Sequence, residues 1–249
     1  MRRTYLILTL LLYAHAWAQP VRVAAASDLQ YALKEVLEAF HQQHPEIQVE
    51  VTFGSSGKFY QQLTQGAPFD LYFAASSKYT RLLEAAGRLE AGTRAVYAVG
   101  RLVVWVPNRV ALDPEPQGPA VLLDPRIRRI AIANPLHAPY GEAAVSLLER
   151  TGLWEAVKPK LVYGDNVSHA AQIALQGADA GIFALSLARN PNLSGKGRFW
   201  VAPLEAHLPL EQEYAIIQGH DRPAVRALYA FVQTPTARRI LAEYGFLLP

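Results

Sequence analysis

The 249-residue chain contains no cysteine, and this absence narrows the class of protein. Without cysteine it has neither a disulfide framework nor a lipid-attachment residue behind a leader sequence. It also contains no charge run, low-complexity tract or internal repeat. Hydrophobic residues make up 51% of the chain, so a sizeable core is possible. The length and composition together predict a globular protein of one large domain or two modest lobes.

Charge of one sign is also scarce. The formal net charge of +3 includes Arg2 and Arg3, and subtracting these two arginines leaves +1 for the remainder. A nearly neutral protein has no general electrostatic attraction for the phosphate backbone. We therefore expect no nucleic-acid partner.

The longest apolar run lies at the N-terminus. Two arginines precede an apolar core over residues 5–13, and Ala16-Trp17-Ala18 supplies a small-x-small cleavage pattern. This pattern predicts a signal peptide over residues 1–18 and a mature protein free in a bacterial periplasm. An uncleaved anchor helix is the alternative, and the short run, interrupted by His15, disfavours it. No other stretch is long and apolar enough to cross a membrane.

Residues suited to catalysis or metal binding do not form recognisable sets. No Ser-His-Asp arrangement or carboxylate pair is evident, so we expect no enzymatic activity and no cofactor. Gly57-Lys58 lacks the longer glycine spacing of a phosphate-binding loop. His41 and His44 stand one helical turn apart, but no carboxylate cluster accompanies them. We expect no metal ion held directly by side chains.

Strands and helices alternate along the rest of the chain. Apolar runs of strand type precede segments with helical spacing, which indicates parallel sheets covered by helices on both faces. A proline-rich stretch over residues 107–125 separates two such series, the layout of a two-lobed α/β binding protein. The predicted strands are 21–25, 47–53, 70–74, a long β-type region over 95–106, 129–133, 161–163, 180–184, 199–202 and 214–217. The predicted helices are 29–40, 59–63, 78–86, 141–150, 167–175, 223–232 and 236–244.

Three short polar motifs stand where a strand should pass into a helix. They are Ala25-Ala26-Ser27-Asp28, Gly54-Ser55-Ser56-Gly57 and Asp165-Asn166-Val167-Ser168. Each would place hydroxyls and unpaired backbone N–H groups at a helix N-terminus, where the helix dipole favours an anion. Such residues are also ordinary N-caps, the interpretation we prefer for Asp165 and Asn166. Three such turns in one exported chain indicate a carrier of a small oxyanion, bound beyond the strand carboxyl ends.

Six motifs, in order along the chain, resemble those of the periplasmic molybdate-binding proteins, the solute receptors of molybdate ABC importers. They are Ala24-Ala25-Ala26-Ser27, Phe53-Gly54-Ser55-Ser56-Gly57, Gly66-Ala67-Pro68-Phe69-Asp70-Leu71-Tyr72, Asn134-Pro135 to Ala138-Pro139-Tyr140-Gly141, Gly152-Leu153-Trp154 and Asp165-Asn166-Val167. The resemblance runs from Val21 to the C-terminus. It implies a two-lobed periplasmic binding protein fold of type II. In this α/β fold each lobe is a mainly parallel sheet flanked by helices, and the ligand cleft lies between the lobes.

The resemblance also implies the limits of the two lobes, the ligand and the protein partner. The chain crosses between the lobes twice, so residues 20–100 and 211–249 form the first lobe and residues 101–210 the second. The expected ligand is a small oxyanion, molybdate or tungstate. The expected protein partner is the membrane permease of an ABC importer, and we expect a monomer.

The resemblance assigns the oxyanion ligands to five positions. Ser27 and Ser56 match the two hydroxyl donors of the first lobe. Asp28 matches a backbone N–H donor, and its carboxylate is expected to point away from the anion. Tyr140 and Val167 match backbone donors of the second lobe. Because both serines lie on turns, we expect their replacement to weaken binding with little effect on folding.

One position departs from the family. Many members have a binding tyrosine after a Gly-Ile-Val motif, whereas here Gly181-Ile182-Phe183 is followed by Ala184. We predict that the hydroxyl of Tyr140 supplies the missing donor. A packing role for Tyr140 at the cleft rim is the alternative.

Neutral donors also restrict the choice of ligand. N–H and O–H groups on rigid helix ends disperse the charge of a tetrahedral dianion without burying a counter-charge. They reject protonated oxyanions such as hydrogen phosphate, whose proton would meet no acceptor. Molybdate and tungstate fit this description equally. Sulfate has the same charge and shape but shorter bonds, so only the size of the cavity would exclude it. The alternative function is therefore a receptor for another tetrahedral oxyanion, such as sulfate or phosphate.

Overall fold

The computed structural model describes residues 19–249, so the predicted signal peptide over residues 1–18 lies outside the described residues. The strands are β1 (Val21–Ala26), β2 (Val49–Gly54), β3 (Leu71–Ala74), β4 (Ala95–Val99), β5 (Leu102–Pro107), β6 (Ile130–Ala133), β7 (Leu161–Gly164), β8 (Ala180–Ala184), β9 (Gly197–Val201) and β10 (Glu211–Ile216). The helices are α1 (Ala32–Gln43), α2 (Ser56–Thr64), α3 (Ser77–Ala85), α4 (Pro139–Arg150), α5 (Trp154–Val157), α6 (Val167–Gln176), α7 (Leu185–Ala188), α8 (Pro223–Phe231) and α9 (Pro235–Glu243). Across residues 19–249, no helix combines the length and the apolar character that crossing a membrane requires.

The strands of the described residues form two five-stranded sheets with the same arrangement. The first sheet has the order β2-β1-β3-β10-β4, and the second has the order β7-β6-β8-β5-β9. In each sheet three neighbouring strands are parallel, the fourth is antiparallel to them, and the fifth is antiparallel to the fourth. Four strands of each sheet therefore point the same way, which confirms the expected mainly parallel sheets.

The reversed strand in each sheet is the one that the chain enters after crossing from the other sheet. β4 ends at Val99 and β5 begins at Leu102 in the second sheet, while β9 ends at Val201 and β10 begins at Glu211 in the first. Because the chain leaves one sheet at the carboxyl edge and enters the next at the facing edge, the entering strand must run backwards. The predicted lobe limits at 100/101 and 210/211 stay a prediction.

Each sheet is covered on both faces because side chains alternate along its strands. In the first sheet Val23 and Phe73 pack with apolar residues of α1, α8 and α9, whereas Ala24 and Tyr72 pack with those of α2 and α3. The second sheet contributes to one large hydrophobic cluster. Its strand β5 is buried along its whole length. This packing on the sheet faces determines where the turns at the carboxyl ends of the strands lie.

Several elements differ from the sequence-based expectation: α5 and α7 were not predicted, and α2 begins at Ser56 and not at residue 59. The long β-type region over 95–106 is two strands in different sheets, separated by Gly100 and Arg101. Hydrophobic content alone could not reveal this break, since both strands are β-branched and aromatic. The helix expected from residue 29 begins at Ala32, because a 3-10 turn over Ser27–Leu29 comes first.

Candidate functional site

The carboxyl ends of the parallel strands in the two sheets face each other across a small cavity. The turns after β1, β2 and β3 contribute one wall, and the N-termini of α4 and α6 contribute the other. The lining residues are Ala26, Ser27, Asp28, Gly54, Ser55, Ser56, Ala75, Ala138, Pro139, Tyr140 and Val167. The structure thus brings together all five residues predicted to bind the ligand. The cavity is small, with an empty volume of about 180 Å³.

Ser56 is held so that its hydroxyl can donate into the cavity. It is the first residue of α2 and is 0% exposed. Its Oγ accepts a hydrogen bond from the backbone N–H of Ala75 at 3.0 Å, and its carbonyl accepts one from the hydroxyl of Tyr72 at 2.8 Å. Because Oγ is already an acceptor, its own proton is available to an anion. The same bond changes the expectation about folding, since losing Oγ would leave a buried N–H unpaired.

Ser27 lies at the contact between the lobes. Its Oγ donates to Asn166 Oδ1 at 3.0 Å and accepts from the backbone N–H of Ser168 at 3.3 Å. The same Asn166 Oδ1 accepts from the backbone N–H of His169 at 3.0 Å, which confirms Asn166 as the cap of α6. A hydrogen bond from Ser27 to an anion would therefore replace its bond to Asn166.

The second lobe offers backbone donors at two helix N-termini. Val167 is the first residue of α6 and Tyr140 the second of α4, after Pro139. First-turn N–H groups have no acceptor within their own helix, and among residues 19–249 these two N–H groups have none elsewhere. Such N–H groups at the positive end of a helix dipole are suited to holding an anion.

The side chain of Ser55 contacts the other lobe and does not cap α2. It occupies the N-cap position of α2, but its Oγ lies 2.9 Å from Nδ1 of His137 in the second lobe. Beside it, the N–H of Gly57 donates to the carbonyl of His137 at 2.9 Å. Burial and the nearby charge of Lys58 lower the pKa of His137, so its ring is neutral at neutral pH and can accept a hydrogen bond from the Ser55 hydroxyl.

Asp28 is buried in the cavity wall. Its Oδ2 accepts from Nε2 of Gln212 at 2.5 Å, whereas its Oδ1 has no partner among the described residues. Burial raises the pKa of Asp28 from 3.8 to about 6. The prediction that this carboxylate points away from the anion stays a prediction.

The hydroxyl of Tyr140 has a partner inside the protein. It accepts from Nε2 of Gln212 at 3.2 Å, and Oε1 of Gln212 accepts from the hydroxyl of Tyr97. This bond uses only the acceptor side of the hydroxyl, so the prediction that the hydroxyl replaces the tyrosine missing at Ala184 stays a prediction. Gln212 and Tyr97 were not predicted as site residues, because a polar residue in an alternating strand carries no signal of what it faces.

The cavity wall carries no positive side chain. Among the described residues that line it, none is lysine, arginine or histidine. At the mouth, Lys58 of the first lobe pairs with Asp165 of the second at 3.1 Å, and Lys78 pairs with Glu142 at 3.1 Å. Within residues 19–249 there is also no cluster of side chains able to hold a metal ion. The cavity therefore suits an anion bound by neutral hydroxyl and N–H groups.

Comparisons with known proteins agree with this geometry. A family model described as bacterial extracellular solute-binding protein matches residues 21–247. The chain is similar to the molybdate-binding protein ModA of Azotobacter vinelandii, with 37% identity over 239 residues that cover 95% of this chain and 93% of the relative. It is 32% identical over 248 residues to ModA of Rhodobacter capsulatus, covering 98% of this chain and 94% of the relative.

Solved structures share the architecture. The periplasmic molybdate-binding protein of Azotobacter vinelandii matches with a TM-score of 0.83 and 29% identity, covering 92% of this chain and 99% of that one. The sulfate-binding protein SubI from Mycobacterium tuberculosis matches with a TM-score of 0.72 and 18% identity, covering 91% and 86%. The second match concerns the fold alone. Together they confirm the predicted two-lobed α/β fold.

Proposed function

The chain belongs to the bacterial extracellular solute-binding proteins, the family that includes the ModA proteins, and we propose that it is a receptor that binds molybdate between its two lobes. The observation that carries this proposal is the small cavity lined by hydroxyls and helix N-termini without a cationic side chain. A dianion there is stabilised by several neutral donors at once. The printed names of the relatives, molybdate-binding protein ModA, support the same ligand.

The proposed ligand set is Ser27, Asp28, Ser56, Tyr140 and Val167. Ser27 and Ser56 would donate through their hydroxyls, and Asp28, Tyr140 and Val167 through backbone N–H groups. We propose tungstate as a second ligand. It is nearly isosteric with molybdate, and the hydrogen-bond donors would distinguish anions only by their shape and charge. The protein donors would contact the oxygen atoms of the anion and not the metal.

The proposed setting is the bacterial periplasm, reached after removal of residues 1–18. We propose that residues 20–100 with 211–249 form one lobe and residues 101–210 the other, and that the protein is a monomer. It would deliver its ligand to the permease of an ABC importer. The proposed role is binding alone, with no catalytic step.

Titration calorimetry of the purified protein with molybdate, tungstate, sulfate and phosphate tests the proposal. We expect tight one-to-one binding of molybdate and tungstate, because the three donor-rich turns converge on one cavity. Replacing the exposed Ser194, far along the chain in the loop before β9, by alanine provides a control that should bind as the parent does. Tight sulfate binding without a response to molybdate would reverse the assignment.

A further inference from the structure

One carboxyl group lies in the wall of the cavity without a counter-charge. Asp28 lines the cavity and is 1% exposed. Gln212 Nε2 donates to its Oδ2 at 2.5 Å, which leaves Oδ1 without a partner among the described residues. An unpaired oxygen on a buried carboxylate is unfavourable by itself. It is more unfavourable beside a site built for an anion, because two negative charges would share one enclosed space.

The groups bonded around this carboxyl are neutral. Gln212 lies on β10. Its Oε1 accepts from the hydroxyl of Tyr97 on β4, and its Nε2 also donates to the hydroxyl of Tyr140 on α4. Burial and the charge of Asp28 hold the pKa values of both tyrosines well above their usual range, so both stay neutral. From α7, Ser186 donates to the backbone carbonyl of Asp28 at 2.8 Å and not to its carboxyl.

The remaining neighbours supply no compensating charge. From α6, Ser168 is neutral and donates through its hydroxyl to Gln30 Oε1 at 2.5 Å. The buried start of α1 is apolar, and β2 ends in Gly54 at the cavity. The charged groups at the mouth are paired, Lys58 with Asp165 and Lys78 with Glu142, and the His137 ring is held neutral by its lowered pKa. No cation in the described part of the chain lines the cavity to offset a carboxylate together with a dianion.

We propose that Asp28 binds the oxyanion as a neutral carboxylic acid, so that each dianion that enters the cavity is accompanied by one proton on Oδ1. The inference rests on the proposed function, adds a side-chain donor to it, and replaces the expectation that the Asp28 carboxyl points away from the anion. The proton comes from solvent and forms one O–H bond on the carboxyl, and no bond of the anion breaks. Asp28 Oδ1–H then donates to an anion oxygen, as the serine hydroxyls do, while Oδ2 keeps its bond from Gln212.

This proposal predicts a specific pH dependence. With its pKa raised by burial to about 6, the carboxyl is mostly ionised at about pH 7.5 before the anion arrives, and the dianion raises the pKa further. Between the two pKa values binding takes up a proton, so the Kd should rise about tenfold for each pH unit. Below about pH 6 the proton is already present in the free protein and the dependence should disappear.

Calorimetry in two buffers of different ionisation enthalpy measures the proton directly. For molybdate at about pH 7.5 we expect uptake of about one proton per anion bound. The same titration at about pH 5.5 should give uptake well below one. Binding of molybdate with no proton uptake at the higher pH would overturn the inference while leaving the proposed function intact. Absence of molybdate binding would instead overturn the proposed function, and this inference with it.

Asp28→Asn mimics the protonated acid. Its carbonyl can accept from Gln212, and its amide can place an N–H where Oδ1 lies. We expect proton uptake near zero, a Kd independent of pH, and binding at about pH 8 that is about tenfold or more tighter than that of the parent. Asp165→Asn is the matched control: this carboxyl is exposed and its pKa is already lowered by Lys58. It should retain the uptake of about one proton.

Phosphate provides the opposing outcome. Hydrogen phosphate carries its own proton, which an ionised Asp28 could accept, so its binding would need no proton from solvent. Tighter binding of phosphate than of molybdate, without proton uptake and lost in Asp28→Asn, would make Asp28 an acceptor and overturn the inference. Should Asp28→Asn fail to fold, the proton count on the parent protein decides alone.

Discussion

Ser56→Ala should affect both ligand binding and folding, and the two effects have different causes. The hydroxyl of Ser56 accepts from the N–H of Ala75 at 3.0 Å, and the residue is 0% exposed. Its remaining proton is free for a ligand. Alanine removes the acceptor and the donor together, while the backbone of α2 can stay in place.

The two losses can be estimated separately. Without Oγ the buried N–H of Ala75 has no partner, which costs about 1–3 kcal/mol of the free energy of unfolding. The lost hydrogen bond to a charged oxyanion costs about 1.5–3 kcal/mol of binding free energy, or roughly tenfold to more than hundredfold in Kd. The first loss should be present without ligand, and the second should appear only in titrations.

Urea unfolding without ligand and calorimetric titration with molybdate measure the two quantities. The neighbouring Ser55→Ala is the matched control, because the Ser55 hydroxyl bonds the partly exposed ring of His137 instead of a buried backbone N–H. We expect Ser55→Ala to change both quantities much less. Refutation would be a Ser56→Ala protein with the parent's urea midpoint and the parent's Kd, since neither assigned bond could then be real.

Tyr140, Asp28 and Gly57 each make a contact whose removal has a measurable effect. Tyr140→Phe should lower the free energy of unfolding by about 1–2 kcal/mol, because Gln212 Nε2 loses an acceptor. Unchanged stability would contradict this, and a loss of molybdate affinity beyond about tenfold would identify the hydroxyl as a ligand. Asp28→Asn should stabilise the ligand-free protein by up to about 3 kcal/mol above about pH 6 and by little below about pH 4. Burial raises the pKa of Asp28 from 3.8 to about 6 in the folded protein, so the parent protein loses stability as the pH rises through that window. A difference in urea midpoint between Asp28→Asn and the parent that is the same at both pH values would contradict this prediction. Gly57→Ala should weaken molybdate binding about tenfold without removing a donor, since its Cβ would lie 2.6 Å from the carbonyl oxygen of His137 in the other lobe; a Kd equal to the parent's would show that this lobe contact is not needed.

Much of the fold was determined by local sequence pattern. The strands at Val21–Ala26 and Ala180–Ala184 and the helices α6 and α8 lie within a residue or two of their predicted limits. Alternating or helical spacing of apolar residues depends only on neighbours a few positions away, so the sequence displays it directly. The cap of α6 was predictable for the same reason, because Asn166 and the N–H of His169 are three residues apart.

Some residues of the candidate site could be predicted from local sequence, and others could not. Ser27, Ser56 and Val167 could be located from sequence, since each stands at the end of a strand and the start of a helical segment. The cluster around Asp28 could not. Gln212 is 184 positions from Asp28 and 72 from Tyr140, and only the return of β10 to the first sheet brings the three together.

The tertiary structure alone decided which polar groups are already paired and which are free. The Oγ of Ser56 accepts from the N–H of Ala75, 19 positions away, and the Tyr140 hydroxyl accepts from Gln212, 72 positions away. Residue type and turn position identify a group that can donate. Whether it donates to a ligand depends on partners that arrive from distant strands, because in a buried site each hydrogen-bonding group binds whichever partner the packing places within about 3 Å.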